Sequence, residues 1–424
     1  MRPTLAFLTA AALAAVPTSV AATGVAAADL RQDAVVSANP VDNTPHVLDG
    51  TVRAIAVVGT KVVVGGTFDQ VREAGSRKPT LQRHNLFAYD IATGKVETAF
   101  LPKVDGTVHT LQTGSSGTVY AGGTFKTVNG VKTGTLARIR VANGTPVTAF
   151  KPAVNYRVSS AVLRGTRLYI GGTFTKAGGK ARTALARLDA TSGAADGAFA
   201  FTIDQPRQGA LKVYRIAVNA QDTKLVINGT FTQVNGQRRY QIAMIDTGRA
   251  KPALSSWSTE RFSTPCNTSA FDTYMRGMDF SPDGSYFVVV TTGGGYGTSQ
   301  LCDSATRWES GRTGPRQRPT WINWTGGDTL LSTSVTGATV YVGGHQRWLN
   351  NPYGRGFAGP GAVSRPGIAA LDPATGKALS WNPTRTLGHG VEALVATSRG
   401  LLVGSDTDRL GGEYHGRIGM FPLR

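Results

Sequence analysis

The sequence predicts an all-β fold, a seven-bladed β-propeller of four-stranded antiparallel blades closed by an N-terminal strand. Three observations lead to this prediction. One strand pattern ending in glycine recurs seven times, the repeats fill the chain after residue 28, and no segment shows the hydrophobic period of a helix. With 53 glycines in 424 residues and 41% hydrophobic residues, the composition also excludes a disordered chain.

The repeat is an apolar strand that runs into a glycine pair, most clearly as Val-Val-Val-Gly-Gly-Thr-Phe at 62–68. Equivalent segments lie at 119–125, 168–174, 225–231, 288–294, 340–344 and 401–404. Their mean spacing is about 56 residues, so seven units need nearly all of residues 29–424. Solenoid repeats are shorter and a sandwich does not repeat in sequence, so we predict a single propeller domain over 29–424.

Each unit contains the elements of a four-stranded blade. An apolar strand precedes the glycine strand, and a third strand such as Leu86–Asp90 follows a polar loop. An Asp-x-x-Thr-Gly turn, as at 90–94, leads to a last strand that carries an aromatic residue: Phe100, Phe150, Phe199, Trp257 or Trp381. The chain ends on a third strand at 417–421. We therefore expect the segment after residue 28 to supply the outer strand of the last blade and to cover its edge.

Several of these motifs carry a resemblance to a known family. Leu-Tyr-Ile-Gly-Gly-Thr-Phe at 168–174, Val-Asn-Gly at 128–130 and 234–236, and Leu-Ala-Arg-Leu-Asp at 185–189 are the residues concerned. With them the chain resembles the secreted β-propeller proteins of high-GC Gram-positive bacteria that are built on delta-60-type repeats. The resemblance covers nearly all of 29–424 and implies the propeller fold. It implies no activity, because the family is largely uncharacterised.

Residues 1–28 have the features of a secretory signal. Arg2 is followed by an apolar run at 5–16, and Ala26-Ala27-Ala28 offers a cleavage site. We predict a secreted protein, extracellular or associated with the cell wall, and no membrane span. In that oxidising compartment Cys266 and Cys302 are expected to form a disulfide. The alternative is a reactive or metal-binding thiol pair, for which the close Cys-x-x-Cys spacing is missing.

The formal net charge of +19 predicts attraction to anionic partners such as wall polymer, acidic polysaccharide, nucleic acid or phospholipid. The basic residues are spread along the chain apart from one cluster: Arg307, Arg312, Arg316 and Arg318. The alternative is therefore that the charge only tunes solubility and weak adsorption. We expect an extracellular polysaccharide or anionic wall polymer as partner, no specific nucleic-acid partner, and a monomer.

The innermost strands of a propeller line its axis, so equivalent positions on them converge on one mouth. The residue just inside each strand start is, in chain order, Arg53, His109, Ser159, Tyr214, Arg276, Leu331 and Glu392. We predict a ligand site at Arg53, His109, Tyr214, Arg276 and Glu392, with two guanidiniums for a carboxylate or sulfate. The alternative is a solvated channel lined by polar groups.

A second candidate site is the long loop of the sixth unit, between Gly344 and Ile368. Long loops in short repeats are commonly functional. Arg347, Trp348 and Tyr353, with Phe357 nearby, predict stacking on a sugar ring or a base. The alternative is that these aromatic side chains cap the hydrophobic edge of the blade.

Known catalytic and metal motifs do not occur in the sequence. The six histidines are dispersed without a His-x-His or His-Glu-x-x-His pattern, and there is no Gly-x-Ser-x-Gly elbow. We predict no metal and no cofactor, and name no catalytic residue.

The leading hypothesis is a secreted binding or adhesion module for extracellular carbohydrate or anionic cell-wall polymer. One alternative is a polysaccharide lyase or glycoside hydrolase at the axial mouth, which predicts Glu392, His109 or Tyr214 within reach of each other in a deep cleft. Another is a protein-interaction scaffold, which predicts a broad apolar patch on one face.

Overall fold

The computed structural model describes residues 30–267 and 269–424, and every regular element in that part of the chain is a β-strand. The all-β prediction is therefore confirmed. The predicted signal at 1–28 lies outside the described residues. In the part of the chain that the structure describes, no helix long and apolar enough to cross a membrane is found.

Seven sheets carry the sequence repeat. In each, an innermost strand pairs with the glycine-ending strand, and a third strand pairs antiparallel with the second. The strands are Val52–Val58, Lys61–Gly66 and Leu86–Asp90 in sheet 1; Val108–Thr113, Thr118–Gly123 and Leu136–Arg140 in sheet 2; Val158–Arg164, Arg167–Gly172 and Leu185–Asp189 in sheet 3; Val213–Val218, Lys224–Gly229, Ile242–Asp246 and Ala253–Leu254 in sheet 4; Met275–Phe280, Tyr286–Thr291, Ser304–Glu309 and Trp321–Trp324 in sheet 5; Leu330–Val335, Val340–Gly344 and Ile368–Leu371 in sheet 6; and Val391–Thr397, Gly400–Ser405 and Ile418–Pro422 in sheet 7.

The prediction of four strands in every unit is wrong for sheets 1, 2, 3 and 6. Among the residues that the structure describes, sheets 4 and 5 have a fourth strand, and in sheets 1, 2, 3 and 6 the outer segment makes a single bridge, such as Tyr89 to Val96. In sheet 1 this segment carries the aromatic residue Phe100, which is buried. A proline at Pro102 follows and has no amide hydrogen to donate to a ladder.

The N-terminal segment runs along the free edge of the last strand. The amides of Ser37 and Val41 donate to the carbonyls of Pro422 and Met420 at 2.8 and 2.9 Å. The segment is not a β-strand at this place. Closure of the fold by an N-terminal strand therefore stays a prediction.

Short antiparallel ribbons follow the glycine strand in every sheet except sheet 5. They are His46–Val47 with Gln70–Arg72 and Thr80–Gln82; Thr127–Val128 with Val131–Lys132; Lys176–Ala177 with Lys180–Ala181; Ile203–Pro206 with Phe231–Val234 and Gln237–Arg238; Trp348–Leu349 with Val363–Ser364; and Arg409–Leu410 with Glu413–Tyr414. Sheet 5 carries instead the disulfide between Cys266 and Cys302, which confirms that prediction.

The glycine pairs allow neighbouring sheets to pack closely. A Cβ added to Gly65 would lie 2.6 Å from the side chain of Val108, which begins the next innermost strand. Gly122, Gly171 and Gly343 have the same relation to the next sheet. The contact also joins the last sheet to the first, because a Cβ on Gly404 would lie 2.5 Å from Val52. The glycine motif is therefore structural, and it sets the distance between sheets.

Candidate ligand-binding site

A β-bulge occurs at the same place in every innermost strand. The register shifts around the second residue of the strand, as between Val52 and Ala54 or between Val391 and Ala393. The bulged residues are Arg53, His109, Ser159, Tyr214, Arg276, Leu331 and Glu392. A bulge leaves its residue out of the ladder and re-aims the side chain. One repeated irregularity therefore positions the seven residues that the sequence singles out.

Six of these seven bulged residues surround two cavities of about 270 and 160 Å³ between the innermost strands. Both cavities are lined by Arg53, His109, Arg215 and Glu392. The larger is also lined by Arg157, Ser159 and Tyr214, and the smaller by Leu331. We call the two cavities with these lining residues the axial site. Four of the five predicted mouth residues therefore line one site, and the fifth, Arg276, packs behind Tyr214.

Glu392 is the one carboxylate residue in the walls of the axial site. One of its oxygens lies 3.1 Å from Arg53 Nη1 and 3.2 Å from His389 Nε2. Burial acts to raise the pKa of Glu392, but the His389 contact and the charges of Arg53 and Arg215 outweigh burial and lower it. Glu392 is thus an ionised counter-ion at neutral pH and is not poised to donate a proton.

Tyr214 is flanked by cations on the wall of the axial site. The guanidinium carbons of Arg215 and Arg276 each lie 5.2 Å from the centroid of its ring, within the range of cation–π attraction. Arg276 Nη1 also donates to the carbonyl of Thr273 at 2.6 Å. Burial lowers the pKa of Arg276. These contacts hold the tyrosine ring and both guanidiniums in a fixed arrangement.

His109 faces the same cavity as a neutral imidazole. Burial is the main cause that lowers its pKa to about 4, and the charges of Arg157, Arg53 and Arg215 act in the same direction. A neutral imidazole has one nitrogen that donates and one that accepts a hydrogen bond. His109 therefore offers polar contacts to a ligand without adding charge.

Two arginines of the axial site, Arg157 and Arg215, were missed by the sequence reasoning. Arg215 Nη1 donates to the carbonyl of Ser159 at 3.0 Å. Among the described residues, the Nε atoms of Arg157 and Arg53 and the Ser159 hydroxyl are buried without a hydrogen-bond partner. Their position in the sequence could have indicated them, because both arginines lie within two residues of a bulged residue. The site thus contains three guanidiniums and unsatisfied donors around one carboxylate.

Comparison with known proteins now identifies the fold. A family model described as "Domain of unknown function (DUF5122) beta-propeller" matches residues 167–199, from the glycine strand of sheet 3 to Phe199. Two solved structures, "Structure of U3-55K" and "Crystal structure of RRP9 WD40 repeats", each cover 91% of this chain and 100% of their own at 10% identity, with TM-scores of 0.53 and 0.52. The fold is a β-propeller. No curated protein matches the sequence.

A β-propeller fits a binding or scaffold module, and at this identity the solved structures establish the fold alone. The specific resemblance to delta-60-type repeats, the number of blades and the carbohydrate partner stay predictions.

The second predicted site of the propeller is the loop that follows Gly344 in sheet 6. Arg347 is engaged in an ion pair, since its Nε and Nη2 donate to the carboxylate of Asp328 at 2.9 and 3.2 Å. Trp348 is half-buried in its ribbon, whereas Tyr353 is 46% exposed and its ring lies 5.8 Å from that of Phe357. Ligand binding by these loop residues stays a prediction. The aromatic side chains available for stacking are Tyr353 and Phe357.

Metal binding finds no candidate in the described part of the propeller. No group of three or more His, Cys, Asp or Glu side chains is placed there to hold an ion. The chemistry available at the axial site is therefore that of guanidiniums, a phenol, an imidazole and one paired carboxylate.

Proposed function

We propose that the chain is a secreted, monomeric β-propeller of seven blades that binds acidic extracellular polysaccharide or anionic wall polymer through the axial site. The seven sheets are then the blades, and the Gly404–Val52 contact joins the last blade to the first. The disulfide between Cys266 and Cys302 is compatible with export.

The observation that carries this proposal is the excess of guanidinium groups in the axial site. Arg53, Arg157 and Arg215 line one cavity whose walls hold a single carboxylate, Glu392. Guanidinium groups bind carboxylate and sulfate through paired hydrogen bonds. The buried hydroxyl of Ser159 has no partner among the described residues and adds a neutral hydrogen-bonding group. An anionic group of a sugar would satisfy these donors.

Long-range electrostatics supports the same class of partner. The chain carries a formal net charge of +19 at neutral pH. Such a charge raises the local concentration of polyanions and speeds their encounter with the protein. The axial site then provides the contacts that distinguish a bound sugar from general adsorption.

A polysaccharide lyase is the second candidate, favoured by the neutral imidazole of His109 and the phenol of Tyr214 on one cavity wall. A lyase needs a base near the sugar and a cation on its carboxylate. A glycoside hydrolase of the usual kind needs two carboxylates across the scissile bond, and the walls of the axial site supply one. A binding function, unlike either reaction, requires no catalytic group in addition to the side chains of the axial site.

The proposal is tested by co-sedimentation with insoluble polygalacturonate, a sulfated polysaccharide, a neutral glucan and purified cell wall, at low salt and at about 0.5 M salt. We expect the acidic polymers to bind at both salt concentrations and the neutral glucan at neither. Arg157→Gln should weaken binding about tenfold, because it removes an unpaired guanidinium. Arg249→Gln, at an exposed position, is the matched control and should change nothing.

Three results would overturn this proposal. Binding that disappears entirely at high salt assigns the interaction to net charge alone. An equal loss in Arg157→Gln and Arg249→Gln removes the axial site from the mechanism. Release of unsaturated uronate, followed by ultraviolet absorbance, makes the protein a lyase.

A further inference from the structure

Three of the exposed aromatic side chains lie together on two neighbouring loops. Tyr296 is 49% exposed, Tyr353 46% and Phe357 57%. The loops are joined by a hydrogen bond from the amide of Gly297 to the carbonyl of Gly354 at 2.9 Å. We call Tyr296, Tyr353 and Phe357 the aromatic patch. Exposed aromatic side chains that gather in one place, instead of being scattered singly, indicate an interaction surface.

The loop of the aromatic patch is held in shape from below by Asn351, which is 1% exposed. Its amide nitrogen donates to the carbonyls of Arg355 and Phe357 at 3.1 and 2.9 Å, and its oxygen accepts from the amide of Tyr353 at 3.2 Å. A loop fixed in this way presents its rings without an ordering cost on binding. The backbone that carries Tyr353 and Phe357 is therefore preorganised.

The patch is physically connected to the axial site through sheet 6. Leu331 lines the axial site, and Asp328 precedes it by three residues, which places their Cα atoms within about 10 Å. Asp328 is paired with Arg347, and Arg347 Nη2 donates to the carbonyl of Gly356 at 3.1 Å, next to Phe357. This ion pair ties the base of the patch loop to the start of the innermost strand.

Buried Asp303 extends this connection towards sheet 5. Asp303 is 1% exposed, and its pKa is raised to about 7 by burial and by the Asp328 carboxylate, while Arg276 acts to lower it. Arg276 in turn packs on Tyr214 of the axial site. Asp303 is therefore affected by the charges of Asp328 in sheet 6 and of Arg276 in sheet 5.

A free cation accompanies the aromatic patch. Arg355 is exposed, and its guanidinium has no hydrogen bond or ion pair with any residue that the structure describes. An apolar surface alone fits many partners, but rings beside an unpaired guanidinium fit a polymer that alternates apolar sugar faces with negative charges. A purely apolar protein surface would leave this cation without a counter-charge.

We propose that the axial site and the aromatic patch form one extended site for a chain of acidic sugars, in which an anionic unit enters the axial site and following units stack on Tyr353, Phe357 and Tyr296 beside Arg355. This inference rests on the proposed function and adds that the protein prefers a chain of acidic sugars to a single sugar. It requires affinity to rise with the length of the chain, because a monomer reaches only the axial site.

The test is isothermal titration calorimetry of the full-length mature protein with galacturonic acid and with its hexamer. We expect the hexamer to bind at least about tenfold more tightly than the monomer. The double variant Tyr353→Ala/Phe357→Ala should lose this gain and keep the affinity for the monomer. Leu101→Ala, which removes an exposed apolar side chain elsewhere, is the control and should behave as wild type.

The outcomes separate this inference from the proposed function. An unchanged hexamer-to-monomer ratio in the double variant overturns the extended site and leaves the axial site intact. Failure of the wild type to bind the monomer or the hexamer overturns the extended site, and it overturns the proposed function as well if the sulfated polysaccharide and the cell wall also fail to bind. Loss of monomer binding in Arg157→Gln, with loss of only the length dependence in the aromatic variant, supports the two sites acting together.

Discussion

Glu392 of the last sheet and Arg53 of the first form an ion pair of 3.1 Å between the bulged residues of their innermost strands. The pair spans the junction between the two ends of the chain. It also offsets part of the positive charge of the axial site. One carboxylate thus contributes to the packing of the termini and limits the attraction of the site for anions.

We predict that Glu392→Gln raises the affinity of the axial site for inorganic sulfate by about threefold or more, because a negative charge is removed from beside three guanidiniums. Calorimetric titration at low salt measures the change. Glu260→Gln, at an exposed position, is the control for net charge. Weaker sulfate binding in Glu392→Gln would instead show that the carboxylate is needed to orient Arg53.

The junction of the termini is predicted to be sensitive to acid. His46 is buried against Tyr414, with ring centroids 4.8 Å apart, and its Nδ1 accepts from the amide of Gly416 at 3.2 Å. Burial, then the charges of His415 and Arg72, lower its pKa to about 4. Burial also lowers the pKa of His415, against the opposite effect of Glu413 and Asp42.

An unfolded histidine has a pKa of about 6.5, so between pH 6.5 and 4 the unfolded chain binds more protons than the folded protein. The free energy of unfolding is therefore highest above pH 6.5 and falls as the pH drops towards 4. Urea denaturation at several pH values should show a smaller fall for His46→Gln. An equal fall in the wild type and in His46→Gln would contradict this prediction.

The disulfide between Cys266 and Cys302 is expected to stabilise the one sheet that has no ribbon. It closes a separation of 36 residues, and both cysteines are buried. The chain-entropy account gives about 3–4 kcal/mol for a loop of this length. The double variant Cys266→Ala/Cys302→Ala should lose about this free energy of unfolding. Equal denaturation midpoints with and without reductant would contradict the prediction.

Packing between sheets is predicted to fail when a methyl group is added at the glycine pair. A Cβ on Gly343 would lie 2.7 Å from the side chain of Val391. Gly343→Ala should therefore destabilise the protein by about 1–3 kcal/mol through overpacking. Gly311→Ala adds its methyl group to open space and is the control. Thermal unfolding of both variants gives the comparison.

The repeat allowed most of the fold to be predicted, because strand, glycine pair and turn each have a local chemical signature. The second glycine of the pair is required because a Cβ on Gly66 would lie 1.9 Å from the Thr51 carbonyl oxygen. This requirement for glycine can be recognised in the sequence. The outer segments were less predictable. The outer segment forms a single bridge at Val96 in sheet 1 but a full strand at Trp321–Trp324 in sheet 5. The difference is how far the chain runs along the edge of the third strand, and no local sequence motif encodes that length.

At the candidate site, the sequence indicated the residues that lie at the repeated bulge position and did not indicate those at neighbouring positions. Arg53 and Glu392 occupy equivalent positions and could be aligned. Arg157 and Arg215 reach the same cavity from neighbouring positions, and their approach depends on the twist of each strand. The pairing of Arg347 with Asp328 was also hidden, because it joins residues from either side of the glycine strand.

At the bulge of each innermost strand, the type of residue can change without a change in the hydrogen-bonded ladder of the sheet. Arginine, histidine, serine, tyrosine, leucine and glutamate all occupy this position in one chain, over the same backbone ladder. The side chains at these seven positions can therefore vary while the backbone pairing of the sheets stays the same. Exchanging them together is a direct way to give this scaffold a new ligand, while the glycine contacts that hold the sheets at their spacing remain untouched.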